Sequence, residues 1–474
     1  MKHRHIQQTL PKRRRTLANC VALAFALAAP AALAATWTVN SCSEANSGGG
    51  NTGTLRYAAA NAATGDTIDM TGLSCSTISL QTGAIAFNQN DITLKGPGMT
   101  KLTVTGKYNG NTEHDRIFTH TGTGTFAVYD LSVAKGYLTT ATGSENGGCI
   151  YSAGTLGLVR VGVYSCSAHV TNSGRARGGG VYGKALSIKY SVVSGNLAKG
   201  RGGYGGGAYT PGNLFVKYST ISGNSASDST SIFGFGGGIF AYKNSTILGS
   251  TISGNSASAR GGGVYAHNFF NTNTLTTTIT NSTISGNYAG YYTGGLAVNS
   301  GKVYLNNSTI AFNTAKKGRS GSMAPFTYFA PGVATDDVDG PVAVTMQSTL
   351  IANNTYGSTE YDLSVPTRAS TTVTFSGANN LVRATFAAVP AGTIKISCPL
   401  LGPLRDNGGL TKTHALLSHS PGIDQGNNAA SLTYDQRGSP NARMSGPAAD
   451  IGAYEVQQGD IVFNNGFETC PLLF

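Results

Sequence analysis

Length, composition and charge exclude several classes of protein. The chain has 474 residues, of which 65 are glycine, 40% are hydrophobic and only 11% are charged. Abundant apolar residues argue against a disordered chain, and the glycine content argues against a helical solenoid. The formal net charge is +12, but six of the basic residues and no acidic residue fall in the first 34 positions, so the rest of the chain, at +6, is only mildly basic.

The first 34 residues have the pattern of a signal peptide. A basic stretch with Lys2, Arg4 and residues 12–15 precedes an apolar run at 20–33, and Ala-Leu-Ala at 32–34 suits cleavage. We therefore expect an exported mature chain with no transmembrane segment. Its expected location is extracellular or on the outer surface of a Gram-negative bacterium.

The mature chain begins with signals for a cap. Residues 54–63 predict a short helix, which Thr64-Gly65 would end, and short strands are predicted at 67–70 and 77–80. A solenoid must cover its open ends. We therefore assign residues 35–80 to an N-terminal helical cap and the first coils.

Two motifs alternate through residues 146–355. The motif Gly-Gly-Gly-aliphatic-aromatic occupies residues 178–182, 205–209, 236–240 and 261–265, with a weaker copy at 147–151. The motif STISGN occupies residues 219–224, 250–255 and 282–287, with variants at 191–196, 308–313 and 348–353. The second motif predicts a strand, a Gly-Asn turn and a ladder of stacked asparagines. The glycines of the first would let coils approach closely at a bend.

The spacing of these motifs, near thirty residues, predicts the fold. Three short strands per repeat indicate an all-β protein, a single-stranded right-handed parallel β-helix over residues 35–397. A propeller is the alternative, but its blades need about 40–50 residues. Residues 398–455 lose the repeat and are predicted to cap the other end, and residues 456–474 form a tail.

Three stretches of sequence resemble known bacterial proteins. Gly-Thr-Leu-Arg at 53–56 resembles the start of many secreted β-helix proteins, and the alternating motifs are similar to the repeats of polymorphic outer-membrane proteins. The segments GPLRDNGGLTKTHAL at 402–416, SPGIDQG at 420–426, DQRG at 435–438 and DIGAYE at 450–455 resemble a choice-of-anchor Q domain. The resemblance implies a secreted β-helix and says little about activity.

The cysteines predict disulfide bonds. Six remain after Cys20, and an even number in an exported chain favours bridges, although six cysteines allow about fifteen connectivities. We expect sequence neighbours to pair: Cys42–Cys75, Cys149–Cys166 and Cys398–Cys470. The chain lacks a CxxC pair and a histidine-rich cluster, which argues against a metal site at the cysteines.

Acidic residues are too few in the repeats to build a hydrolytic site. Residues 146–335 contain Asp228 alone, whereas glycoside hydrolysis uses two carboxylates. The tight cluster of Asp336, Asp337 and Asp339 could bind Ca²⁺, or it is a solvated turn, because it lacks the spaced ligands of a dedicated calcium loop. We predict no other cofactor.

Positive charge is concentrated where acids are scarce. Residues 146–335 hold 14 Lys and Arg. Five of these residues precede Gly-Gly runs and are expected to form one column, and three more follow: Arg175, Arg177, Lys199, Arg201, Arg260, Lys316, Lys317 and Arg319. We interpret this set as a binding surface for acidic polysaccharide or lipopolysaccharide. Ordinary solubilising charge is the alternative.

One aromatic residue per repeat is expected to form a column. These residues are Tyr151, Tyr182, Tyr209, Phe240 and Tyr265. If these side chains face outward, they would form a platform for sugar rings. If they face inward, they would form a stack in the core.

Two functions remain open at this point. We favour a non-enzymatic scaffold, secreted or on the cell surface, that serves adhesion or binds polyanionic polysaccharide or the envelope. The alternative is a polysaccharide lyase or glycoside hydrolase of the pectin-lyase-like type, working from the early coils or residues 336–340. The oligomeric state is not predicted.

Overall fold

The computed structural model describes most of the mature chain. The described residues are 34–106, 115–228, 233–267, 274–316, 330–335, 340–364, 373–385, 387–395 and 398–460. Several predicted features lie outside them: the signal peptide up to residue 33, the residues after 460, and Cys470, Lys317, Arg319, Asp336, Asp337 and Asp339.

Residues 34–395 form a right-handed parallel β-helix of about ten turns, as the repeats predict. The main sheet has three columns of strands, which we call A, B and C in chain order, and each strand pairs in parallel with its equivalents in the coils before and after. The Gly-Gly-Gly motif leads into column A, and STISGN forms column C.

The strands of each column are as follows. Column A contains Ile85–Phe87, Phe118–His120, the starts of Ile150–Tyr164 and Val181–Lys189, Ala208–Thr210, Ile239–Ala241, Val264–Ala266, Leu296–Val298, Val333–Thr335 and Leu363–Ser364. Column B contains Thr36–Ser41, Thr67–Asp69, Ile92–Lys95, the start of Thr125–Ala134, the middle of Ile150–Tyr164, the end of Val181–Lys189, Leu214–Lys217, Ser245–Leu248, Thr276–Thr280, Gly301–Asn306, Val342–Gln347 and Val373–Ala378. Column C contains Thr77–Ser79, Thr103–Thr105, the ends of Thr125–Ala134 and Ile150–Tyr164, Val192–Ser194, Thr220–Ser222, Thr251–Ser253, Thr283–Ser285, Thr309–Ala311, Leu350–Ala352, Leu381–Val382 and Ile394–Lys395.

A fourth column, D, was not predicted. It follows the asparagine turn and forms a second, separate sheet. Its strands are Tyr137–Asn146, Ser167–Arg177, Leu197–Gly200, Gly202–Tyr204, Ser225–Asp228, Gly234–Phe235, Ser256–Ala257, Tyr288–Ala289, Thr314–Ala315 and Thr355–Tyr356, with Thr359–Glu360 antiparallel to the last. Alanines in register, such as Ala198, Ala226 and Ala257, face inward and keep this sheet close to the rest of the coil.

The N-terminal end is covered by a short helix, as predicted. The helix spans Leu55–Asn61, and the Thr54 side chain accepts a hydrogen bond from the Tyr57 amide at its start. Leu55, Ala58 and Ala59 are buried in the main core. The hairpin strands Gly48–Gly49 and Thr52–Thr54 lie just before it.

A ladder of buried asparagines runs along the turn between columns C and D. In each step the side-chain amide donates to the next side-chain oxygen, at 2.8–2.9 Å, for example from Asn224 to Asn255 and from Asn255 to Asn287. The members are Asn196, Asn224, Asn255, Asn287, Asn313 and Asn354, and the last donates to Asp362. The predicted ladder is confirmed, except that in the STLIAN copy the member is Asn354 and not Asn353.

The Gly-Gly-Gly motifs form the bend between columns D and A. Their first glycines have a positive φ, +63° at Gly205 and +65° at Gly236, which disfavours other residues. A Cβ on the second glycine would overlap the neighbouring coil: on Gly206 it would lie 2.4 Å from the Gly237 carbonyl oxygen. Close approach of the coils therefore requires glycine here.

The C-terminal segment, residues 398–460, packs along the flank of the β-helix, and the prediction of an end cap is wrong for most of it. Asn281 and Asn307 side chains donate to the backbone oxygens of Tyr434 and Asn427, both at 3.0 Å. An apolar cluster joins column C to this segment: Leu350, Ala352, Leu381, Leu416 and Ile451. The segment thus folds back over the coils that precede it.

Disulfide bonds join two of the predicted pairs. Cys42 bonds Cys75 and Cys149 bonds Cys166. Cys398 is also disulfide-bonded, and Cys470, its predicted partner, lies outside the described residues, so this third pairing stays a prediction. The described part of the chain contains no helix with the length and hydrophobicity of a membrane span.

Candidate functional site

The predicted aromatic column exists on the outer side of column A. Rings of successive coils stack at 5.1–5.4 Å between centroids. The aliphatic neighbours, such as Val181 and Ile239, point into the main core instead. The rings therefore face away from the centre of the coil, as a sugar platform would require.

Column D covers much of this ladder. Tyr204 and Phe235, which stack on each other at 5.6 Å, contact the rings of Phe240 and Tyr265 across the D-to-A bend. Phe240 and Tyr265 are consequently only 1% and 4% exposed. Tyr209, which contacts Tyr182, Phe240 and Tyr242, is also buried, and burial raises its pKa. We call these two facing stacks the aromatic seam.

The seam is open at its N-terminal end. Tyr151 and Tyr182 are only half-buried, whereas Tyr209, Phe240 and Tyr265 are buried. The aromatic column is therefore mainly a small second core, and only its first two rings could meet a ligand.

The predicted arginines lie on column D or beside it, but not in one register. Arg177 aligns with Tyr204 and Phe235, and Phe235 aligns with Arg260. Arg175 instead aligns with Gly202. The expectation of a single arginine–lysine column is therefore wrong, because the D strands differ in length from coil to coil. The residues still share one flank of the β-helix.

Two of these arginines converge on an open pocket of about 310 Å³. Arg175, Arg201, Tyr204 and the 45% exposed ring of Phe233 line it, together with Ser173 and two glycines. The Arg175 guanidinium lies 5.8 Å from the centroid of the Tyr204 ring, a cation–π contact. Neither arginine takes part in an ion pair with another described residue.

Other predicted basic residues surround this pocket or extend from it. Lys199 is exposed on the strand Leu197–Gly200. The Arg177 guanidinium lies 5.8 Å from the Tyr209 ring centroid, and that of Arg260 lies 4.5 Å from Tyr292. Lys316 is exposed beside the last D strands. The flank is thus basic over several coils.

A carboxylate with a raised pKa, that of Glu145, lies at the open end of the seam, and sequence reasoning overlooked it. Arg116 lies 3.8 Å from Glu145 and 5.3 Å from the Tyr151 ring centroid. Burial raises the pKa of Glu145, and Asp115 adds to the rise, while Arg116 opposes it. Glu145 lies one residue before residues 146–335, the range in which acidic residues were counted. The count therefore did not include it.

Tyr204 and Phe233 were also missed. Tyr204 comes directly before a Gly-Gly-Gly motif, and Phe235 holds the same place one coil later. Alignment of the repeats on their glycines would have shown this second aromatic column. Phe233 has no equivalent in the other copies and gives no such signal.

Several other carboxylates are used in the fold. Asp66 accepts hydrogen bonds from the Trp37 indole and two backbone amides, and Asp130 pairs with Arg160. In the C-terminal segment, Arg437 pairs with Asp435 and Arg443 with Glu455. Among the described residues, no three His, Cys, Asp or Glu side chains are placed to hold a metal ion. The predicted Asp336–Asp339 calcium cluster stays a prediction.

Two buried histidines are likewise structural. His120 bonds the Ser152 hydroxyl and the Gln89 carbonyl oxygen, both at 2.8 Å, and burial lowers its pKa. His414 bonds Ser285 across the flank at 2.8 Å, and burial lowers its pKa to about 4.

Comparisons with known proteins add little about activity. No family model matches the chain. No curated protein matches it either. Among solved structures, the crystal structure of the pectate lyase Pel9A is similar, with a TM-score of 0.45 and 14% identity over 89% of this chain and 97% of that one.

Proposed function

We propose that this protein is a non-enzymatic β-helix scaffold, secreted or displayed on the cell surface, that binds acidic polysaccharide or lipopolysaccharide. Binding would use the basic flank of column D. The observation that carries the proposal is the pocket in which Arg175 and Arg201 converge beside the exposed ring of Phe233, where neither arginine forms an ion pair with another described residue.

The charge distribution supports a polyanion as the ligand. Arg175, Lys199 and Arg201 are exposed and lie on neighbouring coils, so their like charges repel each other. A polyanion would neutralise them and release its own counterions. Solubilising charge would need no aromatic surface beside it, whereas sugar rings stack on tyrosine and phenylalanine.

The test is the salt dependence of binding. We expect the mature protein to be retained on immobilised heparin near physiological ionic strength and to elute as salt rises. Replacing Arg175, Lys199 and Arg201 together with serine should move elution to clearly lower salt. Three exposed lysines elsewhere, Lys101, Lys135 and Lys395, give a control with the same change in charge.

The control variant should elute close to the wild type. If both variants shift equally, net charge and not the flank determines retention. If the wild type is not retained at all near physiological ionic strength, the proposal fails.

A polysaccharide-degrading enzyme is the second candidate, and the group at Glu145 is what favours it. A carboxyl with a raised pKa can act as a general acid, and Asp115 is close enough to influence it. Incubation with polygalacturonate should release no reducing ends and no unsaturated product if the protein is a scaffold. Release that the substitution Glu145→Gln abolishes would favour the enzyme instead.

A further inference from the structure

We infer that the pocket lined by Arg175, Arg201, Tyr204 and Phe233 is a subsite for one anionic sugar residue within an oligosaccharide chain. This inference rests on the proposed function and names the ligand's chemistry at one place on the flank. The shared feature of such ligands is a sugar ring that carries a carboxylate or a sulfate.

The two arginines can act on one anion. Arg175 aligns with Gly202, so Arg201 lies one residue away along the strand direction in the next coil. Neighbouring strands are about 4.8 Å apart, a distance that two long side chains span readily. Both side chains are exposed and both line the same pocket.

The ring contact leaves the donors of Arg175 available. Its guanidinium carbon lies over the Tyr204 ring, 5.8 Å from the centroid, and no described residue accepts a hydrogen bond from its N–H groups. Planar N–H groups match the oxygens of a carboxylate or sulfate. Tyr204 thus orients an anion-binding group rather than neutralising it.

The aromatic surface selects a sugar over a free anion. Phe233 remains 45% exposed at the rim of the pocket. A pocket of about 310 Å³ is at the small end of the roughly 300–1,000 Å³ range of ligand sites. The combination suits a small cyclic group with an anionic substituent.

The experiment measures dissociation constants for short oligosaccharides by calorimetry near physiological ionic strength. The probes are tetragalacturonate, its methyl ester, a heparin tetrasaccharide and a single-stranded DNA tetramer. We expect at least one anionic sugar to bind, and the uncharged ester to bind at least tenfold more weakly than the free acid if tetragalacturonate is that ligand. The tighter of the two anionic sugars identifies the carboxylate or the sulfate.

Variants then locate the site. Replacing Arg175 and Arg201 with serine should weaken binding of the preferred tetrasaccharide at least tenfold, and Phe233→Ala should weaken it several-fold. Replacing Arg175 and Arg201 with lysine keeps the charge but removes the planar donors, and should also weaken binding. The control replaces Lys184 and Lys243, two exposed lysines outside the pocket, with serine and should change binding less than threefold.

Three outcomes would overturn the inference. The control variant could lose as much affinity as the arginine variant, DNA could bind more tightly than both sugars, or neither sugar could bind. If heparin retention persists in any of these cases, the proposed function stands without this subsite. If retention is also absent, both fail.

Discussion

Removing one asparagine from the ladder should cost a large part of the stability of the coils around it. Asn255 is fully buried, and its side chain makes four hydrogen bonds. Its oxygen accepts from the backbone amide and the side chain of Asn224, at 3.0 and 2.9 Å. Its amide donates to the Ile221 carbonyl and to Asn287, both at 2.9 Å.

The expected loss follows from these four bonds. A buried hydrogen bond contributes about 1 kcal/mol net, and a buried group left without a partner costs about 1–3 kcal/mol. Asn255→Ala should therefore lower the free energy of unfolding by about 3–5 kcal/mol. The free energy of unfolding of a typical domain is only about 5–15 kcal/mol, so the loss of stability in the variant should be easy to measure.

Urea unfolding followed by circular dichroism measures the effect. Asn172→Ala is the control, because Asn172 is exposed on the strand Ser167–Arg177, and its effect should stay within about 0.5 kcal/mol. Amide hydrogen exchange should show lost protection in the coils on either side of Asn255. A loss below about 1 kcal/mol for Asn255→Ala, or one equal to that of the control, would refute the reasoning.

Three further predictions concern other features of the fold. Replacing Cys149 and Cys166 with serine should lower the free energy of unfolding by about 3 kcal/mol, measured with urea, because the disulfide bond closes a loop of 17 residues. An unchanged free energy would mean that the disulfide bond does not constrain the unfolded chain. Gly206→Ala should strongly lower the urea concentration at the unfolding midpoint, because the new Cβ would overlap the neighbouring coil. Gly72→Ala should leave the midpoint unchanged, because the space around Gly72 is open. Equal effects of the two substitutions would contradict the close approach of the coils at the bend. Burial and the neighbouring Glu360 raise the pKa of Asp362 to about 8. The folded protein therefore keeps a proton that the unfolded chain releases near pH 4, so stability should fall between about pH 4 and pH 8. Asp362→Asn should reduce that slope, and an unchanged slope would show that other groups cause it.

The features of the fold that the sequence predicted are those determined by short local motifs. The Gly-Asn turn places Asn224 and Asn255 at equivalent positions, and stacking then brings them together. The start of the helix at Thr54 is likewise a local signal. Each depends on only a few neighbouring residues.

Most of column D escaped prediction because, after its first two strands of 10 and 11 residues, its strands have only two to four residues and carry almost no pattern. The strand Ser256–Ala257 has two residues, and its inward residue is a single alanine. Strand periodicity cannot be recognised in so short a segment. The arginine register depends on the same short strands, so it could not be predicted either.

The position of the C-terminal segment also could not be predicted. Gln436 donates to the hydroxyl of Thr251 at 2.9 Å, across 185 residues, and no repeat connects the two. At the candidate site, the concentration of positive charge in the sequence identified the arginines. The positions of Glu145 and Phe233 depend on how the coils stack, so the sequence alone did not place them at the site.

The folded-back C-terminal segment changes how the β-helix can come apart. Ladder bonds between coils join residues about 30 apart, as in Asn224 and Asn255, so coils can ordinarily open one at a time from an end. The segment bonds coils at Thr251, Thr283 and Ser348 simultaneously. None of these coils can fray without first releasing it, so opening from the C-terminal side becomes a single cooperative event. In folding the order is reversed: the segment has nothing to bind until those coils have formed, and its docking is the closing step.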